Sequence, residues 1–187
     1  MQAETLSGGF KDPAIQSAHA FRSVMEAMAR PGSIQDISGA APPPGLSKAA
    51  GAVLLTLCDN ETPVYLAGAA DCDAVRTWLA FHTGAPVTGQ SHCMFAVGTW
   101  EALGPLSAYP IGTSEYPDRS ATLIVESAEL TASGSALIGP GIQDTASLSL
   151  PEVAAFQNNR TYFPLGLDFI FTSGSQLAAL PRSTRVS

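Results

Sequence analysis

Arginine and histidine side chains are the residues in this sequence best suited to bind a ligand. Seven arginines and only two lysines are spread along the 187 residues. A guanidinium group binds phosphate or phosphonate oxygens through paired hydrogen bonds, so a single arginine can clamp one such group. The candidate anion ligands are Arg22, Arg30, His82, Arg119 and Arg182.

Each of these candidates also has a purely structural interpretation. Arg22 lies on a helical apolar stripe, where its stem can cover apolar surface while the charged head reaches water. His82 falls in the last turn of a predicted helix, where a hydrogen-bonded histidine is common. Arg119 belongs to a long loop, and Arg182 follows the last predicted hairpin. Both interpretations stay open at this point.

No arrangement of residues typical of a self-sufficient catalyst occurs. Gly-x-Ser-x-Gly and His-x-x-x-His are both absent from the sequence. A Schiff base could come only from Lys11 or Lys48, and both lie beside or in the first turn of a predicted helix rather than in an apolar pocket. We assign no catalytic residue and predict a scaffold or subunit.

Cysteine usage argues against a metal site and a disulfide framework. Cys58, Cys72 and Cys93 are an odd number and form no Cys-x-x-Cys pair. His92 and Cys93 are adjacent, but no second pair follows at ligand spacing. We predict no metal and no cofactor, and a reducing cytoplasm as the compartment.

Composition restricts the partners. The net charge is −7 and no basic cluster occurs, so we predict no nucleic-acid partner. No run approaches the ~18 apolar residues of a membrane span, and we predict no membrane partner. Hydrophobic residues make up 45% of the chain and charged residues only 13%, which indicates that other protein chains cover part of its surface.

The elements that would position these residues begin with a helix. Residues 1–11 are interpreted as an arm, and residues 12–187 as one α/β domain. Asp12 followed by Pro13 is a helix start, and 30–32 ends the helix. We predict that its core-facing stripe consists of Ile15, Ala18, Phe21, Arg22, Val24, Met25, Met28 and Ala29.

Alternating patterns in the first half and paired strands in the second predict an α/β fold with a mixed sheet and helices on both faces. The predicted strands cover 33–37, 62–67, 93–97, 121–126 and 136–138. A buried helix over 48–58, a helix capped by Asp71 or Asp73, a helical turn at 100–103 and a helix opened by a Ser149–Glu152 capping box complete the set. The loop over 104–120 is interpreted as a contact for a partner or ligand, or as plain surface.

The segment from 162 to 182 predicts a central hairpin. A short apolar run over 167–172 turns at 173–175 and pairs back over 176–180. Asp168 is its one charge, so we expect it to pair with Arg182, Arg185 or a backbone turn. Gly139, Pro140 and Gly141 predict a tight structural turn, with close approach to a phosphate as the alternative.

Seven motifs, in order along the chain, together resemble one family. They are Phe10-x-Asp12-Pro13 with Phe21-Arg22-x-x-Met25-x-Ala27-Met28-Ala29-Arg30-Pro31-Gly32; Leu55-Thr56-Leu57-x-Asp59-x-Glu61-Thr62-Pro63; Phe81-His82-Thr83-Gly84; Tyr116-Pro117 before Ser120-Ala121-Thr122-Leu123; Gly139-Pro140-Gly141-Ile142; Phe163-Pro164-Leu165-Gly166-Leu167-Asp168; and Leu180-Pro181-Arg182-Ser183-Thr184. The family is the H subunit of the bacterial carbon–phosphorus lyase system, which degrades phosphonates. Ser183 stands where the family pattern has threonine, a change that keeps the hydroxyl.

This resemblance implies a fold similar to the large domain of pyridoxal-phosphate-dependent transferases, without the cofactor or its lysine. It implies a homodimer that assembles with the G, I and J subunits into a core complex. That complex transfers a phosphonate to the ribose of ATP and later cleaves the carbon–phosphorus bond. The H subunit is then architectural or regulatory. The alternative from the residues is a small-molecule enzyme or binding protein that holds a phosphonate or nucleotide phosphate.

Overall fold

The computed structural model describes residues 7–187 of the chain; most of the predicted arm, residues 1–6, lies outside the described part. The helices are α1 (Pro13–Ala29), α2 (Lys48–Leu57), α3 (Asp73–Thr83), α4 (Trp100–Leu103) and α5 (Val153–Arg160). The strands are β1 (Gln35–Asp36), β2 (Val64–Leu66), β3 (Phe95–Thr99), β4 (Thr122–Glu126), β5 (Ser135–Ile138), β6 (Ala146–Leu148), β7 (Asp168–Ser173), β8 (Gln176–Leu180) and β9 (Arg185–Val186).

A six-stranded mixed sheet forms the centre of the molecule. Its order is β1-β8-β7-β4-β3-β2. The strands β2, β3, β4 and β7 run parallel, while β8 and β1 are antiparallel to their neighbours. The predicted hairpin is β7 and β8, and β7 lies inside the sheet between β8 and β4. The predicted mixed sheet is therefore confirmed.

A second, three-stranded sheet was not predicted. Its order is β6-β5-β9, and both pairings are antiparallel. We expected only β5 from the sequence, as a further strand of the one sheet. The strands β6 and β9 have three and two residues, which is too short for a period-two pattern to be recognised.

Two apolar layers cover the two faces of the large sheet. On one face, Val64, Ile124 and Ile170 pack with the buried residues of α1, α2 and α3. On the other face, Phe169 and Phe171 pack with α4, α5 and the small sheet, including Phe156 of α5. Helices on both faces were predicted and are confirmed, with the small sheet as an additional part of the second layer.

The predicted core stripe of α1 is wrong for most of its members. The buried residues of α1 are Ala20, Val24 and Ala27, and this helix packs against the alanine-rich helix α2. The side chains of Ile15, Phe21 and Met25 remain 57%, 49% and 50% exposed. Only Val24 of the predicted stripe is buried and Met28 partly so, whereas the small residues Ala20 and Ala27 of the same helix are part of the core.

Two predicted helix caps are also wrong. The residue before α3 is Cys72, and neither Asp71 nor Asp73 caps the helix, because Asp71 instead pairs with Arg76. Helix α5 follows Glu152 without a side-chain cap. By contrast, Asp12 and Ser47 accept hydrogen bonds from Ile15 N and Ala50 N, as their positions predicted.

Candidate functional site

Arg182 is held by an ion pair at the edge of the large sheet. Its Nε lies 3.2 Å from both carboxylate oxygens of Asp168, and its Nη2 donates to Oδ2 at 2.5 Å. The remaining donors reach Pro117 O at 2.8 Å and Ser120 Oγ, and the backbone N of Arg182 donates to Asp168 Oδ1 at 2.8 Å. The pairing expected for Asp168 is confirmed with Arg182, and no donor pair of Arg182 is left for a ligand.

That ion pair also fastens the loop over 104–120. Near the start of the loop, Tyr109 is buried and its hydroxyl donates to Leu103 O at 2.8 Å. At the other end, Arg182 holds Pro117 and Ser120. Burial raises the pKa of Tyr109 to about 12. The loop is anchored at both ends, and its longest exposed run lies at 113–116.

The other predicted arginine ligands lie apart from Arg182. Arg22 is exposed on α1, and Arg30 pairs with Glu26 at 2.9 Å. Arg119 stacks over the Tyr116 ring at 3.9 Å. Among residues 7–187, no hydrogen bond, ion pair or ring contact joins any two of the five predicted anion ligands. The structure does not bring them together into one site.

His82 packs beneath the part of the predicted arm that the structure describes. Its ring contacts Trp78 at 5.2 Å and Phe81 at 4.9 Å between centroids. A Cβ added to Gly9 would come within 2.4 Å of the imidazole, so the backbone of Gly9 lies directly against it. The Trp78 Nε1 donates to Ser7 O at 3.1 Å, which ties residues 7–9 to α3. His82 Nε2 is buried and has no hydrogen-bond partner in the described part of the chain.

A cavity of about 460 Å³ lies where the small sheet meets the end of α5. It is lined by Ile138, Gly139, Pro140, Arg160, Phe163, Ser183 and Arg185. Three segments build it. The pairing of β5 with β9 sets Ile138 opposite Arg185, and the backbone N of Ile142 donates to Gly139 O to close the Gly139–Ile142 turn. Arg160 is the last residue of α5.

The two arginines of this cavity were not among the predicted ligands. Arg160 stacks over the Phe163 ring with its Cζ 4.4 Å from the centroid, and its buried Nε has no hydrogen-bond partner. Within the described residues, neither Arg160 nor Arg185 forms an ion pair. The sequence carries no local signal for the pair, because the two residues meet only after α5 and β9 have packed together.

Two of the three cysteines are core residues. Cys58 and Cys93 are buried and Cys72 is partly exposed, all as free thiols. Burial raises the pKa of Cys58 to about 12, with a further contribution from the charge of Asp59, and it raises the pKa of Cys93 to about 11. Within residues 7–187, no three His, Cys, Asp or Glu side chains are grouped closely enough to hold a metal ion. No helix among them is long and apolar enough to cross a bilayer.

Comparison with known proteins gives a match along almost the whole chain. A family model described as "Bacterial phosphonate metabolism protein (PhnH)" matches residues 8–187. The chain belongs to the PhnH family. It is also 43% identical over 195 aligned residues to the "Alpha-D-ribose 1-methylphosphonate 5-triphosphate synthase subunit PhnH" of Rhizobium meliloti (strain 1021), with 99% of this chain and 97% of the relative covered.

Membership in the PhnH family confirms the resemblance derived from the seven motifs. The two arginines of the cavity stand next to segments that carried it. Gly139 and Pro140 come from one motif, Phe163 from another and Ser183 from the last. The fold gathers these three separate segments into one surface depression.

Proposed function

We propose that this chain is a non-catalytic subunit of a carbon–phosphorus lyase core complex. In this role it is needed for the transfer of a phosphonate to the ribose of ATP, which gives alpha-D-ribose 1-methylphosphonate 5-triphosphate. The observation that carries the proposal is the 43% identity to a subunit of that synthase over nearly the full length of both chains. The role we assign is architectural or regulatory, which agrees with the absence of a catalytic motif from the sequence.

The partners we propose are a second copy of this chain and the G, I and J subunits. The outer face of α1 supports contact with another subunit, because Ile15, Phe21 and Met25 expose about half of their surfaces to solvent on one side of the helix. Arg22 lies on the same side, and it forms no ion pair with any of residues 7–187. The partner surface we expect is apolar, with an acidic residue opposite Arg22.

The fold likeness to the large domain of pyridoxal-phosphate-dependent transferases is part of the same proposal. The parallel strands β2, β3, β4 and β7, covered by helices on both faces, are compatible with it. Both lysines, Lys11 and Lys48, are exposed, which supports a chain that uses no such cofactor.

We further propose that residues 12–187 form one domain, because both apolar layers share the same sheet. We also propose a cytoplasmic location, which the three unpaired cysteines support.

Co-expression with the other subunits tests the proposed function. The chain should co-purify with them and appear in the complex by native mass spectrometry, in the stoichiometry of a subunit. A chain that elutes alone whenever the remaining subunits form their complex would refute the proposal.

A matched pair of variants tests the role of α1. Phe21→Asp should remove the chain from the complex, whereas Phe81→Asp, which alters a comparably exposed phenylalanine on α3, should leave it in place. Co-purification of both variants at wild-type level would contradict the interface on α1 and leave the subunit assignment standing.

A further inference from the structure

The cavity beside α5 has the chemistry of an anion site in a chain that is acidic overall. The net charge is −7, yet the lining that residues 7–187 give this cavity contains two arginines and no acidic residue. Three of the five other arginines are engaged by carboxylates: Arg30 by Glu26, Arg76 by Asp71 and Arg182 by Asp168. Arg160 and Arg185 therefore concentrate unpaired positive charge in one depression.

Arg160 is already positioned for a ligand. Its guanidinium Cζ lies over the Phe163 ring, 4.4 Å from the centroid, and this contact restricts the side chain before anything binds. The last carbonyls of α5 are satisfied by the backbone N–H groups of residues 161–163 and do not compete for the guanidinium. The buried Nε has no acceptor among residues 7–187. A buried donor without an acceptor is costly.

The remaining lining residues complete the site. Ser183 offers a hydroxyl donor, and Gly139 and Pro140 form a wall without a charged group. Thr184, between Ser183 and Arg185, is 3% exposed and its hydroxyl also has no partner in the described part of the chain. Ile138 and the face of Phe163 are apolar. The cavity of about 460 Å³ lies within the ~300–1,000 Å³ typical of small-molecule sites.

We propose that Arg160, Arg185 and Ser183 bind the phosphorus oxyanion of a small phosphonate or phosphate ester, with its organic substituent against Phe163 and Ile138. Two guanidinium groups and a hydroxyl match the three oxygens of a phosphonate better than the two oxygens of a carboxylate. The choice of phosphonate rests on the proposed function, whereas the anion site itself rests on the geometry alone.

Calorimetric titration of the purified chain tests the site. The ligands are phenylphosphonate, methylphosphonate, inorganic phosphate, ATP and benzoate, each at the same ionic strength. We expect phenylphosphonate to bind most tightly, because it supplies both the oxyanion and an apolar group, and benzoate to bind at least about tenfold more weakly. Tightest binding by ATP would assign the site to a nucleotide phosphate, and equal binding of benzoate would overturn the choice of a phosphorus oxyanion.

Variants of equal charge locate the binding. Arg185→Gln removes an exposed arginine of the cavity and should weaken phenylphosphonate binding by about tenfold or more. Arg76→Gln removes the same charge from an exposed ion pair on α3 and should leave the dissociation constant unchanged. Arg160→Lys keeps the charge but loses the planar stack and fork, and should also weaken binding.

Two results would overturn the proposal. One is the absence of heat and of ³¹P line broadening with every phosphorus ligand at about 10 mM, far above the range of specific small-molecule sites. The other is an equal loss of affinity in Arg185→Gln and Arg76→Gln, which would show attraction by overall charge. Neither result bears on co-purification with the other subunits, so the anion site and the proposed function can fail separately.

Discussion

Removing the carboxylate of Asp168 should destabilise the protein far more than removing a carboxylate from an exposed ion pair. Asp168→Ala deletes the acceptor for the Nε and Nη2 of Arg182 and for its backbone N–H. The side chains of Asp168 and Arg182 are only 17% and 14% exposed. The variant therefore leaves a charged group and a backbone donor without their principal acceptor in a poorly hydrated place.

The expected loss of stability in Asp168→Ala depends on the hydrogen bonds that Arg182 keeps in the variant. Breaking a buried ion pair by removing one partner costs about 3–5 kcal/mol. Arg182 keeps its hydrogen bonds to Pro117 O and Ser120 Oγ, which lowers the penalty. We expect a loss of about 2–4 kcal/mol in the free energy of unfolding, measured by urea denaturation followed by circular dichroism.

The ion pair of Asp71 and Arg76 provides the control. Its N–O distance is also 2.5 Å, but the side chains of Asp71 and Arg76 are 40% and 46% exposed. Asp71→Ala should cost less than about 1 kcal/mol, because water screens and replaces an exposed pair. Replacing both partners, as in Asp168→Ala with Arg182→Met, should cost less than the sum of the single changes.

A small effect at Asp168 would show that burial does not strengthen this ion pair. A loss under about 0.5 kcal/mol in Asp168→Ala, or an equal loss in Asp71→Ala, would mean that water solvates Arg182 in the folded state. Unchanged m-values in the three variants are required for the comparison, because the free energies are extrapolated along that slope.

Three further outcomes are expected. Asn159→Ala should lower the free energy of unfolding by about 2–3 kcal/mol in urea denaturation, because this buried amide forms hydrogen bonds with both the N–H and the C=O of Leu167 at 2.9 Å. Asn159→Asp should not restore the lost stability, and a cost near zero in Asn159→Ala would contradict this role. Gly141→Ala should cost at least about 2 kcal/mol, because φ is +82° and a Cβ at this position would lie 1.8 Å from a backbone oxygen of α1. Gly174→Ala, where a Cβ would enter open space, should cost about 1 kcal/mol from backbone strain alone. The stability should fall as the pH rises from about 9 towards 12, because the Cys58 thiol ionises there in the unfolded chain and stays neutral in the folded one. A Cys58→Ala variant that loses stability as steeply over this range would contradict the role of Cys58.

The sequence predicted an element well where one residue of it has a single common structural role. Asp12 before Pro13 fixed the start of α1, and Ser47 fixed the start of α2. Asp168, the one charge in an apolar strand, required a partner, and Arg182 provides it. These predictions depend on groups whose burial without a partner is costly, so few arrangements satisfy them.

The sequence could not show which face of α1 meets the core. Helical spacing identifies an apolar stripe, but it does not distinguish a stripe that packs inside the chain from one that packs on another molecule. The large residues Phe21 and Met25 formed the stronger pattern, while the small residues Ala20 and Ala27 are the ones buried in the core. The cavity at Arg160 and Arg185 was missed for a related reason, since its walls come from segments far apart in the sequence.

The position of β8 has a consequence for the order in which the chain folds during synthesis. This late strand lies between β1 and β7, and its residues Gln176 and Leu177 pair with Asp36 and Gln35. On the ribosome, β1 emerges early and has no strand beside it until β8 follows. A nascent chain stopped before residue 176 would expose the open side of β7 as an unpaired edge, and unpaired edges recruit strands from other chains. Shortened translation products of this protein should therefore aggregate rather than persist as folded fragments.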